Sequence, residues 1–374
     1  VNALHAISDP VRVMLCDDSV VVRGALSRLL AADPGIRVVA KVADGQQALN
    51  MLRGMSPGER PHVVLLDLEM PVMDGITALP LLLSAAPGVS VIVASALSQR
   101  GASATMAALG AGAVDYIPKP AAAAGGIHDE RFQTELIAKV KGWARKQAAP
   151  RGVSGTVFQT PRLSTPMAPV VPSRPVALQQ RPRAIAIGSS TGGPQALATL
   201  IARLTAPVGV PLLVVQHMPA GFTTLLAEHL DRLGRLRCHE AKDGDILQPG
   251  HIYVAPGDRH LLIRDQGGAL VAQITQDPPE NFCRPAVDPL LRSLVAACQG
   301  RLLIAILTGM GQDGLLGCKA AVAAGAQVLA QDEASSVVWG MPGAVTKAGL
   351  ADATTTLEDI AGRILAAGGG GSRP

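Results

Sequence analysis

Short runs of β-branched and aliphatic residues alternate with helical patterns twice along this chain, and a stretch with neither pattern lies between. In the first 147 residues the runs are Val11 to Cys16, Arg37 to Val42, Val63 to Leu66, Val89 to Ala94 and Ala113 to Ile117. Helical patterns fill the intervals at Val20 to Ala32, Gln46 to Met55, Ile76 to Ser84, Ala102 to Leu109 and Glu130 to Lys146. Five such βα units predict a doubly wound parallel sheet, because parallel strands need crossover helices and are buried on both faces.

From Ala148 to Arg183 the pattern gives way to Pro, Ser, Thr, Gln and Arg. Too little periodic apolar surface remains there to offset the entropy of ordering, so a flexible linker is expected. The alternation resumes with strands at Ala184 to Ile187, Leu212 to Gln216, Leu302 to Leu307 and Gln327 to Ala330, and helices such as Pro194 to Leu204 and Val287 to Cys298. Asp-Gly, Pro-Gly and Pro-Gly-Asp turns within Lys242 to Arg264 predict a β-hairpin inserted in the sheet. The expected organisation is α/β throughout: a (βα)5 domain over 1–147, a Pro/Arg-rich linker over 148–183, a Rossmann-like parallel-sheet domain over 184–367 and a disordered tail over 368–374.

Composition narrows the function. Apolar residues make up 48% of the chain and aromatics only 2%, so the cores are built from Ala, Val, Leu and Ile. Removing Arg151, Arg162, Arg174, Arg181 and Arg183 of the linker from the formal net charge of +4 leaves −1, so the basic excess belongs to the linker. No basic stripe with interleaved aromatics supports nucleic-acid binding. The five cysteines, Cys16, Cys238, Cys283, Cys298 and Cys318, are scattered and odd in number, as expected of reduced thiols in the cytoplasm. The amino terminus shows no signal-peptide pattern. Pro80, Pro87 and Gly88 break the uncharged stretch Gly75 to Gln99 into helix, turn and strand, so membrane insertion is not expected.

Loops at the carboxyl ends of parallel strands converge on one site. Asp17 and Asp18 follow the first predicted strand, Asp67 the third, Ser95 the fourth and Lys119 the fifth. Gathered carboxylates repel, and a hard divalent ion such as Mg²⁺ relieves the repulsion. Asp67 could then accept a phosphoryl group, with Lys119 and the metal neutralising its oxygens and Ser95 bonding the product. Helix capping is the bland reading of each Asp alone. Asp17-Asp18, the run Leu66 to Gly75, Ser95 and Lys119-Pro120 together resemble the receiver domains of two-component signalling. That resemblance implies Asp67 as phosphoacceptor, the Glu69 backbone carbonyl as a further metal ligand, Tyr116 as the aromatic switch residue and a cis peptide before Pro120.

Ala184 to Pro194 reads as a strand, a tight glycine turn and a helix start, which sets Ser190 beside N–H groups at a positive helix end. Alone, such a turn could equally cradle a phosphate. No P-loop lysine and no acidic residue at ribose-binding distance accompany it, nor is it a Gly-x-Ser-x-Gly elbow. A serine hydroxyl needs an imidazole to take its proton and a carboxylate to orient the ring. His217 ends the next strand, and Asp313 follows a later apolar strand on the same sheet edge. A surface histidine and a turn aspartate are the bland readings of these two.

The Ser-Ser-Thr-Gly-Gly turn, Gln216-His217-Met218-Pro219, Phe282 to Asp288, Leu307 to Gly314 and Trp339 to Gly343 resemble the catalytic domain of the chemotaxis protein-glutamate methylesterase (CheB) family over roughly 184–362. By that resemblance Ser190 is the nucleophile, His217 the base and then acid, and Asp313 the orienting carboxylate. The Met310 backbone N–H is the implied oxyanion donor, supported by Thr191. Ser189 stands where many relatives have alanine, so two hydroxyls compete, and Ser190 holds the family's catalytic position. Cys283 is a rival nucleophile on residue type, but no His or Asp pattern in the sequence points to it, and a buried structural thiol is the commoner case.

The resemblance implies hydrolysis of glutamate γ-methyl esters on cytoplasmic chemoreceptor helices, with deamidation of receptor glutamines. It further implies a chemotaxis histidine kinase as phosphodonor, Mg²⁺ in the receiver and no cofactor for the esterase step. In relatives the unphosphorylated receiver covers the cleft. A receiver-controlled binding protein without catalysis is opposed by the intact Ser190, His217 and Asp313. A DNA-binding regulator would need a basic helix-turn-helix where an apolar α/β pattern stands.

Overall fold

The computed structural model describes residues 9–119, 126–148 and 181–369. Most of the expected linker, the residues after 369 and Pro120, with the cis peptide expected before it, lie outside the described residues.

The amino-terminal unit is a five-stranded parallel sheet in the order β2-β1-β3-β4-β5. Its strands are β1 (Val11–Cys16), β2 (Ile36–Val42), β3 (Val63–Asp67), β4 (Ser90–Ser95) and β5 (Asp115–Pro118). All five residues of β3 and all six of β4 are buried, as a sheet covered on both faces requires. The helices are α1 (Val20–Ala31), α2 (Gly45–Gly54), α3 (Gly75–Ala85), α4 (Gln99–Gly110) and α5 (Glu130–Ala148). Small polar side chains start four of them: Ser19, Asp44, Asp74 and Ser98 accept from the N–H groups of Val22, Gln47, Thr77 and Gly101 at 2.7–3.3 Å. Each such cap contributes about 1 kcal/mol.

The second unit carries a seven-stranded parallel sheet in the order β14-β13-β12-β6-β7-β9-β8. These strands are β6 (Ala184–Ser189), β7 (Leu212–Gln216), β8 (Arg237–Glu240), β9 (His251–Val254), β12 (Leu302–Ile306), β13 (Gln327–Gln331) and β14 (Ala353–Thr355). The surrounding helices are α6 (Gly193–Ala202), α7 (Phe222–Leu233), α8 (Val287–Cys298), α9 (Leu315–Ala323), α10 (Met341–Lys347) and α11 (Leu357–Gly368).

A hairpin is present, but not where the turn signals placed it. Within Lys242 to Arg264 the turns lead into β9, which joins the main sheet beside β7. The antiparallel pair is β10 (His260–Gln266) with β11 (Ala269–Thr275), a separate two-stranded sheet. Its two-residue connection, Gly267-Gly268, has φ of 61° and 94°, the left-handed backbone that such hairpins need. The stretch Gly75 to Gln99 divides into α3, a turn and β4, and among the described residues no helix is long and apolar enough to cross a membrane.

Candidate active site and phosphorylation site

Strand ends of the first sheet bring the acidic residues together. Ligand atoms of Asp17, Asp18 and Asp67 lie within 4.8 Å of one another. Lys119 reaches into the group, its Nζ 2.6 Å from Asp67 Oδ2 and 3.0 Å from Asp17 Oδ2. The Asp17 oxygen is buried and, despite that ionic approach, makes no well-aligned hydrogen bond. An all-oxygen donor set with an under-satisfied buried carboxylate fits a hard divalent cation. Burial pushes the Asp67 carboxyl above its ordinary range, against the opposing pull of Lys119. Burial alone would lower the Lys119 ammonium, but its hydrogen bond to Asp67 and its ion pair with Asp17 carry it upward.

Asp67, Glu69, Ser95 and Lys119 line one cavity of about 290 Å³. The Ser95 hydroxyl donates to the Gly101 carbonyl of α4 at 2.9 Å. Tyr116 is buried and stacks on Phe222 of α7, with ring centroids 5.4 Å apart.

In the second sheet, β12, β6 and β7 are neighbours, so the segments that follow them share one edge. His217 Nε2 lies 2.8 Å from Asp313 Oδ2. Four further donors fix that carboxylate: the N–H groups of Val287, Asp288 and Gly314 and the Asn281 amide, at 2.6–3.1 Å. Val287 and Asp288 open α8, whose cap residue Ala286 has no hydrogen-bonding side chain, so Asp313 caps that helix from another segment. Burial would raise the Asp313 carboxyl, but the His217 bond and these donors hold it below its ordinary value.

The Ser190 turn is stitched to the His217 strand. His217 N–H donates to Ser189 O at 3.2 Å, and the Gln216 amide donates to Ser190 O at 3.0 Å. Burial separates the two adjacent hydroxyls. Ser189 is fully buried and its hydroxyl donates to Gln216 Oε1 at 2.7 Å, whereas Ser190 is partly exposed. Gly309 lies so close that a Cβ there would fall 2.9 Å from Ser190 Cβ and 2.4 Å from Met341 Sδ. Gly192, with φ of 74°, leaves room for Val337, whose Cγ2 would be 2.6 Å from an added Cβ. Among the described residues, neither Thr191 nor Met310 uses its backbone N–H in a hydrogen bond.

One expected contact is not made. Among the described residues the Ser190 hydroxyl has no hydrogen bond, and His217 Nδ1 instead meets Cys283 Sγ at 3.3 Å. Cys283, expected as a buried structural thiol, is instead partly exposed and abuts His217. Burial would lower the His217 imidazole, but Asp313 and then Cys283 carry it up to about 10. Gln216 and Asn281 were not singled out from sequence as site residues. A polar residue closing the apolar run Leu-Leu-Val-Val was the signal for Gln216.

Both units of the chain match known families. The model described as CheB methylesterase matches residues 185–364, and the response regulator receiver domain model matches residues 13–128. A "Protein-glutamate methylesterase/protein-glutamine glutaminase" of Azospirillum brasilense is 52% identical over 365 residues, covering 94% of this chain and 91% of the relative. The chain belongs to the CheB methylesterase family. A Rhodospirillum centenum relative, "Protein-glutamate methylesterase/protein-glutamine glutaminase of group 2 operon", is 48% identical over 371 residues, covering 94% of this chain and 93% of its own. Among solved structures, the Thermotoga maritima CheB methylesterase catalytic domain matches at 38% identity with a TM-score of 0.49, covering 50% of this chain and 98% of that one.

In this CheB-family chain the receiver touches the hydrolase turn itself. Asp115 Oδ2 accepts from Gly192 N–H and from Trp143 Nε1, both at 3.1 Å, while Lys139 Nζ holds Asp115 Oδ1 at 3.2 Å. Gln195 of α6 donates to Ala113 O at 3.1 Å. The Arg131 guanidinium of α5 sits 3.9 Å above the Phe282 ring, next to Cys283.

Proposed function

We propose that the chain is a phosphorylation-activated protein-glutamate methylesterase, acting in the cytoplasm on γ-methyl esters of chemoreceptor helices in chemosensory adaptation. The observation that carries this reading is the His217–Asp313 pair, at 2.8 Å, beside a partly exposed Ser190 and the unpaired N–H groups of Thr191 and Met310. Ser190 attacks the ester carbonyl while His217 takes its proton. The N–H groups of Met310 and Thr191 receive the oxyanion, and His217 returns the proton to leaving methanol. Water then resolves the acyl-enzyme by the reverse roles. A receptor glutamine enters the same cycle with ammonia leaving, which accords with the glutaminase named in the relatives. The nucleophile, base and oxyanion donors are all protein groups, and no cofactor is assigned to this step.

Asp67 is the phosphoacceptor, supplied by a chemotaxis histidine kinase. Asp17, Asp18, Asp67 and the Glu69 backbone carbonyl would hold Mg²⁺, which when bound neutralises charge on the phosphoryl oxygens. Lys119 pairs with the same oxygens, Ser95 bonds the phosphoryl product, and Tyr116 reports the change at the interface. The functional units are 1–147 and 184–367, joined by the linker at 148–183. Phosphorylation loosens the receiver face that holds Gly192 and Phe222.

Methanol release from a methylated receptor, with and without a small-molecule phosphodonor, tests this in the intact chain, in Ser190→Ala and in Asp67→Ala. Hydrolysis is expected only with Ser190 present and acceleration only with Asp67 present. Equal release from the intact chain and Ser190→Ala would end the reading.

A further inference from the structure

We propose that Cys283 is a positioning residue of the hydrolase site, occupying His217 Nδ1 and thereby holding the base away from Ser190 in the receiver-docked chain. The inference rests on the esterase reading above and adds a residue to it.

Three observations carry it. His217 has two ring nitrogens, and both are engaged: Nε2 with Asp313 at 2.8 Å and Nδ1 with Cys283 Sγ at 3.3 Å. The Ser190 hydroxyl, which must deliver its proton to one of them, has no hydrogen-bond partner among the described residues. Asp313 cannot readily yield Nε2, because four other donors fix its carboxylate. Nδ1 is therefore the nitrogen that must be released. Whichever way the proton lies between sulfur and ring, that nitrogen has no free lone pair while the contact persists.

The thiol is held in place by a built turn. Glu280 and Cys283 exchange two backbone hydrogen bonds, at 2.8 and 3.1 Å, and the two residues between them, Asn281 and Phe282, have φ of 50° and 62°. Positive φ at both central positions makes this a tight turn of a kind that phenylalanine adopts at a cost, so the surroundings must secure it. They do so on both sides. The Asn281 amide donates to Asp313 and Asp288, each at 3.0 Å, and Glu280 pairs with Arg292 of α8. Asp313 thus orients the imidazole directly and, through Asn281, also anchors the turn that carries the thiol. The base is clamped at both nitrogens.

The contact is removable without dismantling the pair behind it. In Cys283→Ala the imidazole keeps Asp313 and loses its competitor. Hydroxyl replaces thiol in Cys283→Ser and can bond the same nitrogen.

The test uses the full-length unphosphorylated chain and a helical peptide bearing a glutamate γ-methyl ester, with kcat and KM measured for the parent, Cys283→Ala, Cys283→Ser and the double variant Ser190→Ala/Cys283→Ala. The expected result is a kcat about fivefold higher in Cys283→Ala, the scale of one net hydrogen bond, with KM unchanged. Cys283→Ser should stay within about twofold of the parent, and the double variant should be inactive. Hydrolysis by the parent with an equal or lower kcat in Cys283→Ala overturns the inference alone. Activity in Ser190→Ala that vanishes when Cys283 is also removed makes the thiol the nucleophile, and overturns both this inference and the Ser190 assignment. No hydrolysis by any form, phosphorylated or not, overturns the esterase reading and the inference with it.

Discussion

Asp115 of the receiver accepts a hydrogen bond from the backbone N–H of Gly192, two residues beyond Ser190 in the hydrolase turn. A carboxylate of one unit thus sits at the start of α6 of the other, where helix geometry leaves N–H groups without partners. Removing its charge should weaken docking and also disturb the buried pair with Lys139. In Asp115→Ala we expect higher methylesterase activity without phosphodonor and a receiver destabilised by about 1–3 kcal/mol, since Lys139 keeps Glu135 while the buried Trp143 N–H loses its acceptor. Steady-state rates and urea unfolding check both parts. Unchanged basal activity in a folded variant would remove Asp115 from the regulatory contact.

At the rim of the same interface, Arg131 lies 3.9 Å over the Phe282 ring. An exposed contact of this kind contributes about 0.5–1 kcal/mol. Arg131→Ala should therefore raise basal activity about two- to fivefold and leave the fully phosphorylated rate unchanged. A lowered phosphorylated rate would show that Arg131 serves catalysis instead.

The two adjacent serines should separate cleanly. Ser189→Ala loses a buried hydrogen bond to Gln216 and should cost about 1 kcal/mol of stability while retaining most activity. Ser190→Ala should fold normally and lose at least about a thousandfold in kcat, as loss of a nucleophile does. Paired thermal melts and methanol-release assays distinguish them, and the reverse pattern would transfer the nucleophile to Ser189.

Imidazole must be neutral to take a serine proton. Burial pulls His217 down, but Asp313 and then Cys283 carry it up to about 10, so in the docked chain the ring is charged near neutrality. Activity of the unphosphorylated chain should rise with pH from neutrality toward about 10. In Asp313→Asn, with the principal upward influence removed, the limb should move to lower pH as the rate falls. A kcat/KM profile with its limb in the ordinary imidazole range would contradict the clamped geometry.

Much of the architecture was legible because its signals are local. β1, β7 and α8 begin and end where the apolar runs and helical spacing placed them, since the two strands are buried almost throughout and α8 buries one face at helical spacing. β8 and β14 went unseen, being four and three residues long and partly exposed, and so without a clear period. The hairpin was misplaced because turn signals mark where a chain reverses, not which strand the next segment pairs with. His251–Val254 has a turn on its amino side yet pairs in parallel with β7. The acidic cluster could be read from strand ends alone. The meeting of Cys283 with His217 could not, because 66 residues separate them and only the Glu280–Cys283 turn and its anchors bring them together. The difference in burial between Ser189 and Ser190 was likewise not legible, and the sequence preferred Ser190 only by its place in the family motif.

Five donors around Asp313 have a chemical consequence. A carboxylate so fully solvated by amide groups is a poor proton acceptor, so hydrogen transfer in the proposed cycle ends at the imidazole ring and never passes to the acid behind it. The ring must then discharge onto whatever departs, which gives an alkoxide and an amine the same route out.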